Sequence, residues 1–194
     1  MSLAPEVAMA LAMLLPLVAA TLVVVLGRWP NARDAASIAA GVATFACVLS
    51  IAGHLADGTP VRAELWQPGA GLRFAFDVEP LGLTFALVAS LLWPVTTLYA
   101  VGYMRGHHEK NQTRFFCFFA ISISAVLALA FSANLVTLFV CYEAITLATF
   151  PLVTHANDAA AWRAGRIYLG LLMGTSVGLL LFAVVAVSVI SGTT

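Results

Sequence analysis

One glutamate, Glu143, stands about midway along an otherwise apolar run, Phe139-Val140-Cys141-Tyr142-Glu143-Ala144-Ile145-Thr146. A carboxylate at the centre of a bilayer costs roughly 2.5–3.5 kcal/mol on insertion scales, so one that persists there pairs, carries protons or binds a cation. Near neutral pH a buried glutamate either takes up a proton or finds a positive partner. The plainer alternative is a protonated side chain hydrogen-bonded to neighbouring helices. Helical spacing puts Phe139, Thr146, Leu147 and Phe150 on the face of Glu143. Of these only Thr146 can help solvate it, so its partners have to come from other helices.

Other polar side chains follow at intervals that matter. His155 lies about three turns beyond Glu143 and admits two readings: a relay of protons between the aqueous phase and the helix interior, or a cation resting on the helix C-terminal dipole. His107 and His108 sit with Glu109 and Lys110 in a polar segment that reads as a solvated turn, with pH sensing as the alternative. Cys47, Cys117 and Cys141 all fall inside apolar runs, without a CxxC pair or a histidine at ligand spacing. They read as small core residues, and no iron–sulfur, haem or zinc site and no other cofactor is expected.

The elements that must position these residues follow from composition. Of 194 residues, 62% are hydrophobic and 9% charged, with a net charge of zero. A soluble domain carries roughly 25% charged residues, and the neutral balance gives no reason to expect nucleic-acid binding. The predicted fold is all-α, a polytopic membrane helical bundle. A spanning helix needs roughly 20 mostly apolar residues. Six runs meet that need: residues 7–27, 35–55, 81–104, 115–131, 135–154 and 167–190. No second strongly ionisable side chain falls deep inside any of them. The first run lacks a basic segment before it and is read as a retained helix rather than a signal peptide. Residues 1–194 thus form one membrane domain, with 56–80 as the longest connection. Its segment Leu72–Asp77 alternates apolar and polar residues, so a short surface strand is expected there. Pro80 stands at a helix start, where its missing N–H costs nothing.

Charge sets the orientation. Arg28, Arg33, Arg105, Lys110, Arg114, Arg163 and Arg166 lie in the connections on one side, and only Arg62 and Arg73 on the other. Basic loops stay in the cytoplasm. Both termini are therefore expected outside, with 56–80 as an exterior loop and the cell's inner (plasma) membrane as the location. Gly170, Gly174 and Gly178 form a small-residue row on the sixth run, expected to allow close packing inside the bundle, with dimerisation as the lesser use. Pro94 interrupts the third run beside Thr96 and Thr97. A static bend is the main expectation there, and a polar pocket the alternative.

Several stretches together resemble a known family. They are Val78-Glu79-Pro80-Leu81, Leu98-Tyr99-Ala100-Val101-Gly102-Tyr103-Met104, Asn111-Gln112-Thr113-Arg114-Phe115-Phe116, and above all Ala133-Asn134-Leu135 through Tyr142-Glu143-Ala144 to Leu147, followed by Pro151-Leu152-Val153. The sequence resembles, over roughly residues 75–180, the antiporter-like proton-conducting subunits shared by Mrp-type sodium/proton antiporters and respiratory complex I, with the D-type Mrp subunit as the nearest expected relative. The resemblance implies that Glu143 belongs to a lysine–glutamate pair whose changing attraction drives proton movement. It implies that the lysine comes from a broken seventh helix, beyond the six runs found here, so that the chain is a split or truncated product or one piece of a larger unit. Glu79 stands where the family often has aspartate. Thr146, His155 and Glu79 are the residues expected on a proton or coupling path.

The implied function is a proton-translocating subunit of a multisubunit cation/proton antiporter. Its partners would be other membrane subunits, a chain or segment supplying the lysine helix, protons and sodium. Two alternatives stay open. One is a membrane-arm subunit of a redox-driven pump, which would make the chain part of a translocating oxidoreductase rather than a plain transporter. The other is a truncated, non-conducting structural subunit.

Overall fold

Prolines at the first turn begin three of the helices. Pro5, Pro30 and Pro80 each occupy a position whose backbone N–H would be unpaired in any case. In the computed structural model, which describes residues 4–69 and 72–191, these helices are α1 (Pro5–Val25), α2 (Pro30–Ala56) and α3 (Pro80–Gly106). Then follow α4 (Gln112–Ala130) and α5 (Leu135–Val153). The last rod consists of α6 (Ala159–Thr175), a π-helical turn at Ser176–Leu180, and α7 (Leu181–Ser191). Among the described residues, six helical segments are long and apolar enough to cross a membrane. The chain is an all-α, multi-pass membrane bundle.

Two helices start well before the apolar runs do. α2 begins at Pro30 rather than near residue 35, which places Arg33 and Asp34 inside a helix, both buried. Both lie near the N-terminal end of α2 rather than deep within it, so what changes is the helix boundary: residues expected in a connection belong to the helix. Charged residues read as a loop because burial of an isolated charge is costly, but here the two charges neutralise each other. α6 begins at Ala159 rather than near 167, because the Asp158 carboxylate caps it, accepting from Ala161 N–H at 2.6 Å.

Between α2 and α3 the chain forms an antiparallel hairpin, β1 (Arg62–Gly69) with β2 (Leu72–Asp77). The expected strand is β2; β1 was hidden by its Pro68 and Gly69. The hairpin is tied to the α4–α5 connection. Asp77 N–H donates to the Phe131 carbonyl at 2.8 Å, and Ala133 N–H donates to the Ala75 carbonyl at 3.0 Å.

Helices α1 to α4 pack as a group, α1 against α2 and α4, and α3 against α2 and α4. α5 lies on the outer side of α4 and meets β2 and the α6–α7 rod. The buried core has three levels. Near the hairpin it holds Met9, Val48, Ile51, Phe76, Leu127 and Phe131. At mid-height Trp93 sits among Ala19, Ala20 and Ala120. At the far end, here called the basic end, Val23, Met104 and Phe116 close it. Alanines on α1 let its neighbours come close. Gly82 does the same for α3, because a β-carbon there would collide with the Ala130 carbonyl of α4.

The glycine row behaves differently from its expected use. Gly170, Gly174 and Gly178 have open space where a β-carbon would stand. They face away from the rest of the described chain, and the row does not pack inside this bundle. The close-packed glycine of α6 is Gly165, whose missing β-carbon leaves room for Thr154 and Phe150.

Candidate proton site

α5 begins at the hairpin end and finishes at the basic end, so it carries its side chains across the whole thickness of the bundle. Asn134 fixes its start. The Asn134 Oδ1 accepts from Thr137 N–H at 2.8 Å as an N-cap, while its Nδ2 donates to the Arg73 carbonyl of the hairpin at 2.8 Å. The Thr137 hydroxyl accepts from Ala75 N–H at 3.2 Å. The segment Asn134-Leu135-Val136-Thr137 is therefore the joint between the hairpin and the helix that carries Glu143. Arg114 fixes the other end. Its Nη2 donates to the Pro151 carbonyl at 3.2 Å and to the Thr154 hydroxyl at 3.0 Å, so a cation covers the C-terminal carbonyls of α5. The sequence assigned that part to His155 as one of its two readings; the geometry gives it to Arg114.

Glu143 sits at the middle of α5. Both of its carboxylate oxygens are shut off from solvent, and neither has a hydrogen-bond partner among the described residues. Thr146 is buried one turn along, but its hydroxyl donates to the Tyr142 carbonyl of its own helix at 3.1 Å. It is turned to the backbone rather than spent on the carboxylate. The nearest polar link to another helix is on the next turn, where the Thr149 hydroxyl and the Tyr168 hydroxyl of α6 are 2.9 Å apart.

His155 follows the α5 C-cap. Both ring nitrogens are buried without a hydrogen-bond partner among the described residues, and the ring lies edge-on to Phe115 at 5.6 Å between centroids. It borders a cavity of about 430 Å³ together with His107, His108, Glu109, Lys110 and Asn157. His107 and His108 are exposed, and the His107 ring stacks on Tyr103 at 4.3 Å.

Glu79 lies at the opposite end. It is the exposed N-cap residue of α3, with its side chain making no cap hydrogen bond. It borders a cavity of about 450 Å³ with Asp77, Gly82, Phe85, Ser132 and Leu138. Leu138 is five residues before Glu143, a rise of about 7.5 Å. From Glu143 to the end of α5 is roughly 15 Å. The four expected site residues are thus strung along the bundle at three heights and do not form one cluster. Glu143 and Thr146 share a level, with Glu79 and His155 near the two ends.

The sequence did not single out a polar cluster at the basic end. Arg33 Nε donates to Asp34 Oδ1 at 2.7 Å, Nη1 to the Thr113 hydroxyl at 3.2 Å and Nη2 to Gln112 Oε1 at 3.1 Å. Its guanidinium lies 5.0 Å from the Phe116 ring centroid. Arg105 reaches the other Asp34 oxygen at 2.6 Å and Asn31 Oδ1 at 2.9 Å. The available signal was Pro30 at a helix N1 position, which puts the following Arg-Asp pair inside a helix.

No protein-family model matches the chain. It is 24% identical over 154 residues to the Na(+)/H(+) antiporter subunit A1 of Staphylococcus aureus, covering 78% of this chain and 19% of that protein. The A1 subunit of strain Newman is 24% identical over 107 residues, 55% of this chain and 13% of the relative. The chain therefore spans about a fifth or less of the length of these relatives. Both are A-type subunits; the expectation of a D-type nearest relative rests on the sequence motifs alone. Among solved structures, an archaeal respiratory membrane complex, the membrane-bound sulfane sulfur reductase, contains a chain that superposes with a TM-score of 0.76 at 19% identity, covering 94% of this chain and 28% of that one. The Mrp complex from Dietzia sp. DQ12-45-1b gives a TM-score of 0.71 at 20% identity, covering 98% of this chain and 20% of that one. The likeness of the fold to both, with the similarity of the sequence to the A1 subunits, upholds the resemblance carried by the third to fifth helices: the chain is similar in sequence to Na(+)/H(+) antiporter A1 subunits and has the fold of chains in the Mrp and sulfane sulfur reductase complexes.

Proposed function

We propose that the chain is an antiporter-like membrane subunit in which Glu143 is the intramembrane proton and charge site. The observation that carries this reading is the pair of buried, unpartnered carboxylate oxygens in the middle of α5. A carboxylate so placed has either to hold a proton or to meet a cation. The only lysine of this sequence, Lys110, lies in the exposed α3–α4 connection, and the proposed lysine partner of Glu143 is one carried by another segment or subunit. Other membrane subunits are the proposed partners, and protons exchanged for a cation such as sodium are the proposed cargo, in keeping with the names of the A1 relatives. His155 is proposed as the relay at the basic end, Thr146 as a secondary polar group beside the site, and Glu79 as a charge at the hairpin end. The proposed orientation puts the basic end in the cytoplasm and both termini outside, on the strength of the charge asymmetry.

A second reading has the same helices serving a redox-driven pump, since a respiratory complex has the same fold. The fold is common to both drivers and does not choose between them. In the non-conducting structural alternative, the carboxylate of Glu143 has no transport role.

The deciding experiment is Glu143→Gln in cells that make the whole assembly, with cation-driven proton flux read in inverted vesicles. The variant keeps shape and removes charge. We expect equal abundance in the membrane and loss of flux. Wild-type flux at equal abundance would assign Glu143 to a structural role.

A further inference from the structure

Hydroxyls in the helices of this bundle usually bond to a carbonyl of their own helix. Ser90 donates to Ala86 at 2.6 Å, Ser122 to Phe118 at 2.8 Å, and Thr149 to Ile145 at 2.9 Å. Three do not. Ser37 and Thr44 of α2 and Thr97 of α3 are at most 1% exposed, and their hydroxyl oxygens have no hydrogen-bond partner among the described residues. The indole N–H of Trp93, also buried, has none either. All four belong to the two helices that face each other across one interface.

The register of that interface is set at two points. A β-carbon at Gly41 would lie 3.1 Å from the Pro94 ring, so these two residues are level. Nearer the basic end, Arg105 of α3 meets Asn31 and Asp34 of α2. Because the helices run in opposite directions, Ser37 stands near the level of Thr97, and Thr44 within a turn of Trp93. Asp34, Ser37, Gly41 and Thr44 follow at three- and four-residue intervals, one face of α2. Pro94 has no N–H, which leaves the Ser90 carbonyl without its helical donor in the same place.

Buried polar side chains are nearly always hydrogen-bonded, to protein or to ordered water. Four without protein partners in one seam, beside a freed carbonyl, are a set of donors and acceptors suited to water, which makes about three hydrogen bonds per buried molecule. We propose that the α2–α3 interface holds ordered water molecules bound to Ser37, Thr44, Trp93 and Thr97, in two groups on either side of the Gly41–Pro94 contact. The two groups lie between the Asp34–Arg105 ion pair and the apolar level of Cys47, Val48, Ile51 and Ala86. From Asp34 to Thr44 the rise is about 15 Å, half of a hydrocarbon core about 30 Å thick. The seam is therefore hydrated at two levels and blind, with no continuous water path past Gly41. It is separate from the Glu143 site, since α5 packs on α4, β2 and the α6–α7 rod.

The test uses the full chain, labelled with 15N-tryptophan, in lipid nanodiscs. Magnetisation transfer from water to each indole N–H is measured, with the Trp93 signal assigned by Trp93→Phe. Trp29 and Trp66, both exposed, serve as positive controls. We expect transfer to Trp93 despite its burial, reduced at least twofold by Thr44→Val. Absence of transfer to Trp93 while the controls respond would overturn the proposal. Thermal unfolding gives an independent sign. Thr97→Val and Thr44→Val lower the unfolding temperature if waters bind the hydroxyls. A raised or unchanged temperature, as for isosteric removal of a dry unpaired hydroxyl, overturns it as well.

Discussion

Asp34 and Arg105 meet at 2.6 Å, and through them α2 and α3 are locked at the basic end while Arg33 ties the same carboxylate to α4. The two arginines are not equivalent. The Arg33 side chain is 4% exposed and that of Arg105 is 40% exposed. Asp34→Asn leaves Arg33 buried without a counter-charge, which should cost about 3–5 kcal/mol. Arg105→Ala removes a half-solvated pair and should cost at most about 1 kcal/mol. Thermal unfolding of both variants in detergent checks the ratio; equal losses would show that Arg33 is not the group at risk.

Asn134 serves two elements with one side chain. Asn134→Ala removes the N-cap of α5 and the bond to the Arg73 carbonyl together, and should destabilise by about 1–2 kcal/mol. The loss should also show as faster amide exchange in β2. Exchange unchanged at Ala75 and Phe76 would mean that the hairpin holds to the bundle without it.

Much of the fold was legible because membrane helices announce themselves as long apolar runs, and the family motif lay on one of them. What stayed hidden had a common cause. The starts of α2 and α6 carry Arg33, Asp34, Arg163 and Arg166, and charged residues read as loop. Only the Pro30 N1 position and the Asp158 cap marked them as helix. Glu143 was visible as the lone acid in its run, yet nothing in the spacing could show that Thr146 turns to the Tyr142 carbonyl. Arg114 was counted for its charge and missed as the cap of α5, because its target is 37 residues away along the chain.

The glycines divide into two kinds that a substitution can tell apart. Gly82→Ala drives a methyl group into the Ala130 carbonyl and should destabilise by roughly 1–3 kcal/mol. Gly170→Ala and Gly174→Ala meet open space and should raise helix stability by up to about 1 kcal/mol each in the isolated chain. If the row receives a helix from another subunit, the same two changes should weaken assembly, read by co-purification. Unaltered assembly would remove the row from the proposed partner surface.

The orientation proposal has its own check. A reporter active only in the cytoplasm, fused after Thr194, should be silent, and one placed in the α3–α4 connection near Lys110 should be active. The reverse pattern from intact fusions would invert the bundle.

The π turn at Ser176–Leu180 closes its hydrogen bonds over five residues instead of four. One added residue advances everything after it by about 100° in azimuth. Gly170 and Gly174 precede that slip, and Gly178 lies within it. The residues that α7 presents toward a given side are therefore out of phase with the three- and four-residue spacing of α6, although both segments meet α5. A face read from the sequence of α6 cannot be continued into α7 by simple helical counting, so the surface that the rod offers to a further helix changes residue register at the π turn.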